Sequence, residues 1–291
     1  MTTRRAFTSV LALGGFAVAT SFPDLRPARA QEAGGAIERI KASGKLRTAA
    51  IPGAEPFFHK DLLGGGWAGA CIDMVKDMAS ALGATPEIVE AEWGTSVMDL
   101  QTGKIDVMFA LSPTPARALQ IQFSDIAINN AFTVIAKKGL PVGKWEDLDK
   151  PEIRVAFDTG SSHDIFVRRA LPHCTPVAVQ SPTDAIMALQ AGRADCVVQV
   201  VVIAAVMHAR NPGVGDLILP QPVVHQPTCI GVPVSSDPRF LTFVNNWLLY
   251  NRSEGIVQEW MFKALRASNV DPASLPPRSG ILIRCGRPHD L

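Results

Sequence analysis

Downstream of residue 44 the chain alternates short, dense apolar runs with stretches whose apolar residues recur every three or four places. Leu46 to Ile51 has the profile of a buried strand and is stopped by Pro52-Gly53. Cys71, Ile72, Val75, Met78, Ala79 and Leu82 recur at helical spacing, and Gly83 ends that helix. Glu87 to Val89 is a short strand, Val97 and Leu100 mark a short helix ended by Gly103, and Ile105 to Leu111 is an apolar strand. The same order then recurs. Ile153 to Phe157 is predicted as a strand, Asp164 to Leu171 as a helix and Val177 to Val179 as a strand. Thr183 to Gln190 comes next as a helix closed by Gly192, and Cys196 to Val202 as a strong strand.

Alternation of this kind is the signature of an α/β fold. The two copies share a punctuation mark, Gly103-Lys104-Ile105-Asp106 against Gly192-Arg193-Ala194-Asp195. Each pairs a helix-ending glycine with an aspartate just before a buried strand. Two such units in register predict two similar lobes rather than one large sheet. Phe132 to Ala136 and Thr228 to Pro233 are the expected crossings between them, and Phe240 to Leu249 and Ile256 to Leu265 are helices that return to the first lobe. From Pro272 the chain is rich in proline and predicted to be irregular. The expected boundaries put residues 31–134 and 227–291 in lobe 1 and residues 135–226 in lobe 2.

The first thirty residues change the picture. Arg4-Arg5, the apolar run Val10 to Ala19 and the small-residue site Ala28-Arg29-Ala30 make a twin-arginine-type signal peptide over residues 1–30, and hence a periplasmic destination. That run is well short of the roughly 20 residues a membrane span needs. Residues 1–30 hold four of the 28 basic and one of the 27 acidic side chains, so residues 31–291 carry a balance of −2. Near-neutral charge argues against a nucleic-acid partner. With 47% apolar and 19% charged residues the chain can bury a real core. The five cysteines, Cys71, Cys174, Cys196, Cys229 and Cys285, show no metal-ligand spacing, and their odd number leaves one unpaired in a monomer.

Two places offer chemistry. After the strand ending near Leu111 comes Ser112-Pro113-Thr114-Pro115-Ala116-Arg117. Thr114 suits an N-cap and Pro115 a first helical position, so a helix N-terminus and the Arg117 guanidinium share one sheet edge. That combination suits a carboxylate. In the second half, Gly160-Ser161-Ser162-His163-Asp164 stands after its strand in the same way, with Ser161 and Asp164 at capping-box spacing. No nucleophile triad and no phosphate-binding glycine fingerprint is present; Gly64-Gly65-Gly66 lacks the spacing.

Taken in order, further residues carry a resemblance. They are Gly44-Lys45-Leu46-Arg47, Pro56-Phe57, Gly69 with Asp73, Leu82-Gly83, Trp93, the Gly103 and Gly192 motifs, Thr114 with Arg117, Phe123-Ser124, Gly160-Ser161-Ser162 and Ala188-Leu189. From about residue 44 to about residue 265 the chain resembles the family 3 bacterial extracellular solute-binding proteins of polar amino-acid ABC transporters. The resemblance implies a type II two-lobed periplasmic binding protein with a ligand cleft between lobes joined by two crossing segments. It implies a small carboxylate ligand, an inner-membrane ABC permease as partner, a monomer, and neither cofactor nor metal nor catalytic residues. Arg117 would grip the carboxylate with Ser112 and amides near Thr114, Trp93 would pack on the ligand, and Ser161 and Ser162 would close from the second lobe.

The departures are specific. Where amino-acid binders place an acid for the ligand ammonium, this chain has Val200. Asp158 is the best-placed substitute, and Gln199 and His163 could supply neutral hydrogen bonds. Phe109 and Ala110 are apolar where hydroxyls are common. Two rival readings arise, a cyclohexadienyl-dehydratase-like enzyme using Asp158 or Glu55, and a periplasmic accessory protein with a degenerate cleft.

Overall fold

A computed structural model describes residues 35–277 and Gly280. The expected signal peptide, Cys285 and the end of the proline-rich tail lie outside the described residues. In chain order the first elements are α1 (Ala36–Ser43), β1 (Lys45–Ala50), the hairpin β2 (His59–Lys60) and β3 (Trp67–Ala68), α2 (Ala70–Ala81), β4 (Thr85–Glu90) and α3 (Trp93–Gln101). Then come β5 (Met108–Leu111), α4 (Pro115–Ala118), β6 (Gln122–Phe123) and the long β7 (Ile128–Ala136). The second unit holds β8 (Arg154–Asp158), α5 (Ser162–Ala170), β9 (Thr175–Val179), α6 (Pro182–Gln190), β10 (Cys196–Val200), α7 (Val201–Arg210) and β11 (Asp216–Ile218). The chain returns through β12 (His225–Val232) to α8 (Arg239–Ser253) and α9 (Ile256–Ala267).

Parallel pairing of β1 with β4 and a bridge from Thr48 to Val107 build the first sheet, which β5, β12 and β6 extend. The second sheet runs β7-β10-β8-β9, with β8 parallel to both neighbours and β11 against β7. The two crossing strands belong to both lobes. Phe132–Ala136 of β7 pairs with β10, while its first half pairs with β12 from His225↔Ala131 to Thr228↔Ile128. Helices bury apolar faces on these sheets. On α2 that face is Cys71, Ile72, Met74, Val75, Met78 and Ala79, packed towards β1, β4 and α9. Each large side chain so buried contributes ~1.5–3 kcal/mol.

The shared motif has one physical meaning in both lobes. Asp106 Oδ2 accepts from the Arg47 backbone N–H and Nε, both at 2.9 Å, and Oδ1 accepts from Nη2 at 2.7 Å. Asp195 Oδ2 accepts from the Arg154 backbone N–H and Nε, again at 2.9 Å, and Oδ1 from Nη2 at 2.9 Å. Each aspartate staples the start of its strand to the first strand of its unit, and Gly103 and Gly192 make the turn with φ +69° and +67°. Arg154, then Lys137, hold the Asp195 carboxyl well below the usual carboxylate range.

Several expectations are corrected. The strand expected over Cys196 to Val202 ends at Val200, and α7 begins immediately. Residues 201–207 are all buried, so this helix shows no polar face and hence no helical period in its sequence. The glycine run 64–66 forms the hairpin loop between β2 and β3, which the sequence pattern does not mark as strands. Helix α1 has no counterpart among the elements read from the sequence. The helix expected after Thr114 is a single turn, too short for a dipole of consequence. Cys71, Cys174, Cys196 and Cys229 are buried and free, and burial raises the pKa of each thiol.

Candidate functional site

The C-terminal ends of β5 and β10 and the loops after β1 and β8 converge on a narrow cleft between the two sheets. Arg117 dominates its first-lobe wall. Thr114 caps the single turn of α4, its hydroxyl accepting from the Arg117 backbone N–H at 3.4 Å. The guanidinium is thereby directed inward and is only 7% exposed. Its Nη1 donates to the Ser112 carbonyl at 3.0 Å and its Nη2 crosses the cleft to the Gly160 carbonyl at 2.8 Å. Among the described residues no carboxylate forms an ion pair with it. Burial lowers its pKa to about 10, with the field of Asp158 acting in the opposite direction.

Ser112, Trp93, Ser161 and Ser162 line the same cleft, together with Phe57, His163, Val200 and Thr228. The hydroxyls of Ser112 and Ser162 make no hydrogen bond within the described protein. Trp93 starts α3, and its buried indole Nε1–H has no acceptor. Ser161 is differently employed. Its Oγ donates to the Asp158 carbonyl at 2.6 Å and accepts the N–H groups of His163 and Asp164 at 3.1 and 3.2 Å. The expected capping box is modified, because the Asp164 carboxylate accepts from the Gly160 N–H at 2.9 Å instead of that of Ser161.

Asp158 and Gln199 stand behind this wall, fully buried. Gln199 Nε2 donates to Asp158 Oδ1 at 2.7 Å, while Asp158 Oδ2 and Gln199 Oε1 have no partner. The hydrogen bonds of His163 dictate its tautomer. Nε2 accepts the Val200 backbone N–H at 3.2 Å, so that nitrogen carries a lone pair and the proton sits on Nδ1, 3.1 Å from Asp158 Oδ1. Both ring nitrogens are thus committed. Phe132 packs edge-on against it at 5.7 Å.

Of the residues proposed from sequence, the structure thus brings Arg117, Ser112, Trp93, Ser161 and Ser162 to the cleft surface, whereas Thr114, Asp158 and Gln199 lie in the layer that supports it. Phe57, Ile203 and Thr228 line the cleft and were not singled out. Ile203 lies just past the strand expected to end at Val202, on the helix α7 that the sequence pattern does not reveal. Thr228 carries no local signal, because its role depends on β12 returning past β5. Ala110 sits in the wall at φ +57°, a left-handed conformation unusual for alanine, while Phe109 points away against Trp247.

The lobes touch one another beyond the cleft as well. Arg210 of α7 pairs with Glu55 at 2.9 Å, and Gly94 faces Gly160. Burial alone would raise the Glu55 carboxyl, but Arg210 and His59 hold it below its ordinary value.

A two-lobed α/β molecule with a small inter-lobe cleft and two crossing strands defines the type II periplasmic binding-protein fold. The sequence profile of the bacterial extracellular solute-binding proteins, family 3, matches residues 46–168, and over that span the chain is similar to this family. The cyclohexadienyl dehydratase of Pseudomonas aeruginosa is 23% identical over 228 residues, covering 77% of this chain and 84% of that protein. An ancestral amino acid-binding protein, described as a precursor of cyclohexadienyl dehydratase, shares 27% identity at a TM-score of 0.70, over 80% of this chain and 99% of that one. An amino acid ABC transporter substrate-binding protein from Streptococcus pneumoniae bound to L-arginine shares 25% identity at a TM-score of 0.71, over 80% and 98% of the two chains.

Proposed function

We propose that the protein is a periplasmic solute-binding protein that captures a small carboxylate-bearing molecule by hinge closure and delivers it, as a monomer, to an inner-membrane ABC permease. One observation carries the reading. Arg117 is 7% exposed and has no carboxylate partner among the described residues. A buried cation without a counter-charge is costly, and an anionic ligand removes that cost. Two of its five N–H groups are spent on the Ser112 and Gly160 carbonyls, which fixes the guanidinium plane and leaves the others for the ligand. The hydroxyls of Ser112 and Ser162 add one donor from each side.

In this reading lobe 1 comprises residues 31–134 and 227–291 and lobe 2 residues 135–226. The ligand docks on Arg117 and Trp93, then the second lobe swings over with Gly160, Ser161 and Ser162. The neighbours that bind lysine or arginine support a small ligand that bears a carboxylate. The dehydratase alternative is disfavoured by the wall itself. Among the described residues it presents no carboxylate to act as acid or base, and its one imidazole has both nitrogens engaged. The test is titration calorimetry of the purified protein and of Arg117→Ala with the small molecules released from native protein on denaturation. Loss of binding in the variant is expected, and an unchanged affinity would refute the assignment. Turnover of prephenate to an aromatic product would establish the enzyme instead.

A further inference from the structure

Resting on the carboxylate reading above, we infer that the ligand is an organic acid lacking an ammonium group, an anion with hydrogen-bond acceptors and an apolar body, rather than an α-amino acid. The cleft sorts its polar groups by kind. Uncommitted donors stand on the wall: the remaining N–H groups of Arg117, the hydroxyls of Ser112 and Ser162, and the indole Nε1–H of Trp93, which is buried without an acceptor. Among the described residues no side chain on the wall is a carboxylate or a carboxamide. The hydroxyls of Ser161 and Thr228 are already spent, the latter on the Ile128 carbonyl at 3.0 Å. The rest of the surface is apolar, including Phe57, Ala110, Val200 and Ile203.

An ammonium group brings three donors and a positive charge into a space that already holds a buried guanidinium. It needs a carboxylate in contact, because a charge taken from water without a paired and hydrogen-bonded partner is strongly disfavoured. Val200 occupies the end of β10 that faces the cleft. Asp158 is fully buried behind His163; its Oδ1 already takes Gln199 Nε2 and His163 Nδ1, and its unpartnered Oδ2 is not part of the cleft lining. Its negative charge reaches the cleft as a field, felt by Arg117, and not as a contact surface. A carboxylate bearing a keto or hydroxyl oxygen would present acceptors to the donors on the same wall. One end meets Arg117 and the serines, another acceptor reaches Trp93, and the hydrocarbon part covers Phe57, Val200 and Ile203.

The experiment compares matched probes by calorimetry: L-valine, L-leucine and L-phenylalanine against the 2-oxo, 2-hydroxy and unsubstituted acids of the same carbon skeletons. At least one amino-free acid should bind tenfold or more tightly than its amino acid, and Arg117→Ala should abolish that binding. Val200→Asp, checked for a native melting transition, should reverse the order by adding the missing counter-charge. The inference is overturned if an amino acid binds more tightly than its amino-free counterparts, and loss of that preference in Asp158→Asn would then identify Asp158 as the counter-charge. Arg117 dependence would survive in that case, so the carboxylate reading would stand. Binding of any probe with equal strength to wild type and Arg117→Ala would instead bring down the parent reading and the inference with it.

Discussion

Substituting Gly160 by alanine separates closure from folding. Gly160 has φ +73°, so an alanine there costs ~1 kcal/mol in the open and closed forms alike. A Cβ at this position would lie 3.1 Å from Gly94 Cα and 3.4 Å from Gly94 N, both backbone atoms of the opposite lobe. Backbone cannot rotate aside, so the lobes must part slightly. That steric wedge costs ~1–3 kcal/mol in the closed state only. Affinity should therefore fall roughly 5- to 150-fold, beyond the uniform loss of stability. Gly94→Ala is the matched control, because its Cβ would stand 3.8 Å from Gly160 Cα, an ordinary contact. Calorimetry with the natively bound small molecule gives the affinities, melting gives the stabilities, and solution scattering reports whether ligand still compacts each variant. Equal affinities for the Gly160→Ala and Gly94→Ala proteins would refute the closure geometry.

Further outcomes are expected from the same contacts. Asp195→Asn should destabilise the protein by ~1–3 kcal/mol at pH 7, since the partners Arg154 and Lys137 are partly solvated. The folded Asp195 carboxyl is depressed, so its contribution is present above the unfolded value near ~3.9 and lost as pH falls. Melting curves of wild type and variant should accordingly begin to approach one another below about pH 4 and close further as the pH falls towards the depressed folded value. Trp93→Phe should leave the ligand-free melting temperature unchanged or raised, because it deletes a buried donor that lacks an acceptor, while weakening ligand binding by about five- to tenfold. Peptide mapping after iodoacetamide at pH 8 should find Cys71, Cys174, Cys196 and Cys229 unmodified until denaturant is added. Their burial raises all four pKa values, that of Cys229 to about 11.

Much of the architecture was legible because it obeys local rules. The periodicity of Cys71 to Leu82 and the strand-stopping Pro52-Gly53 need no tertiary knowledge, and the paired Gly-x-x-Asp motifs exposed the duplication directly. Helix α7 was not legible, because a helix buried on every side carries no polar stripe and its β-branched residues imitate a strand. Within the site, Arg117 and the Gly160 turn were visible as chemistry next to a capped chain reversal. What no local pattern reveals is commitment. That Ser161 spends its hydroxyl on its own helix while Ser162 keeps one free, or that His163 turns its lone pair to the Val200 amide, depends on atoms brought together by strands far apart in sequence.

The shared crossing strands also dictate an order of assembly. Everything that β8, β9, β10 and β11 pair with precedes or lies within their own stretch of chain, so the second sheet can close while the C-terminal segment is still being made. Strand β5 must wait for β12 to arrive before its ladder is filled, and α9 comes later still to cover α2. A chain cut short after α7 would keep a nearly finished half and leave the other with an open edge, a template for unwanted pairing between molecules.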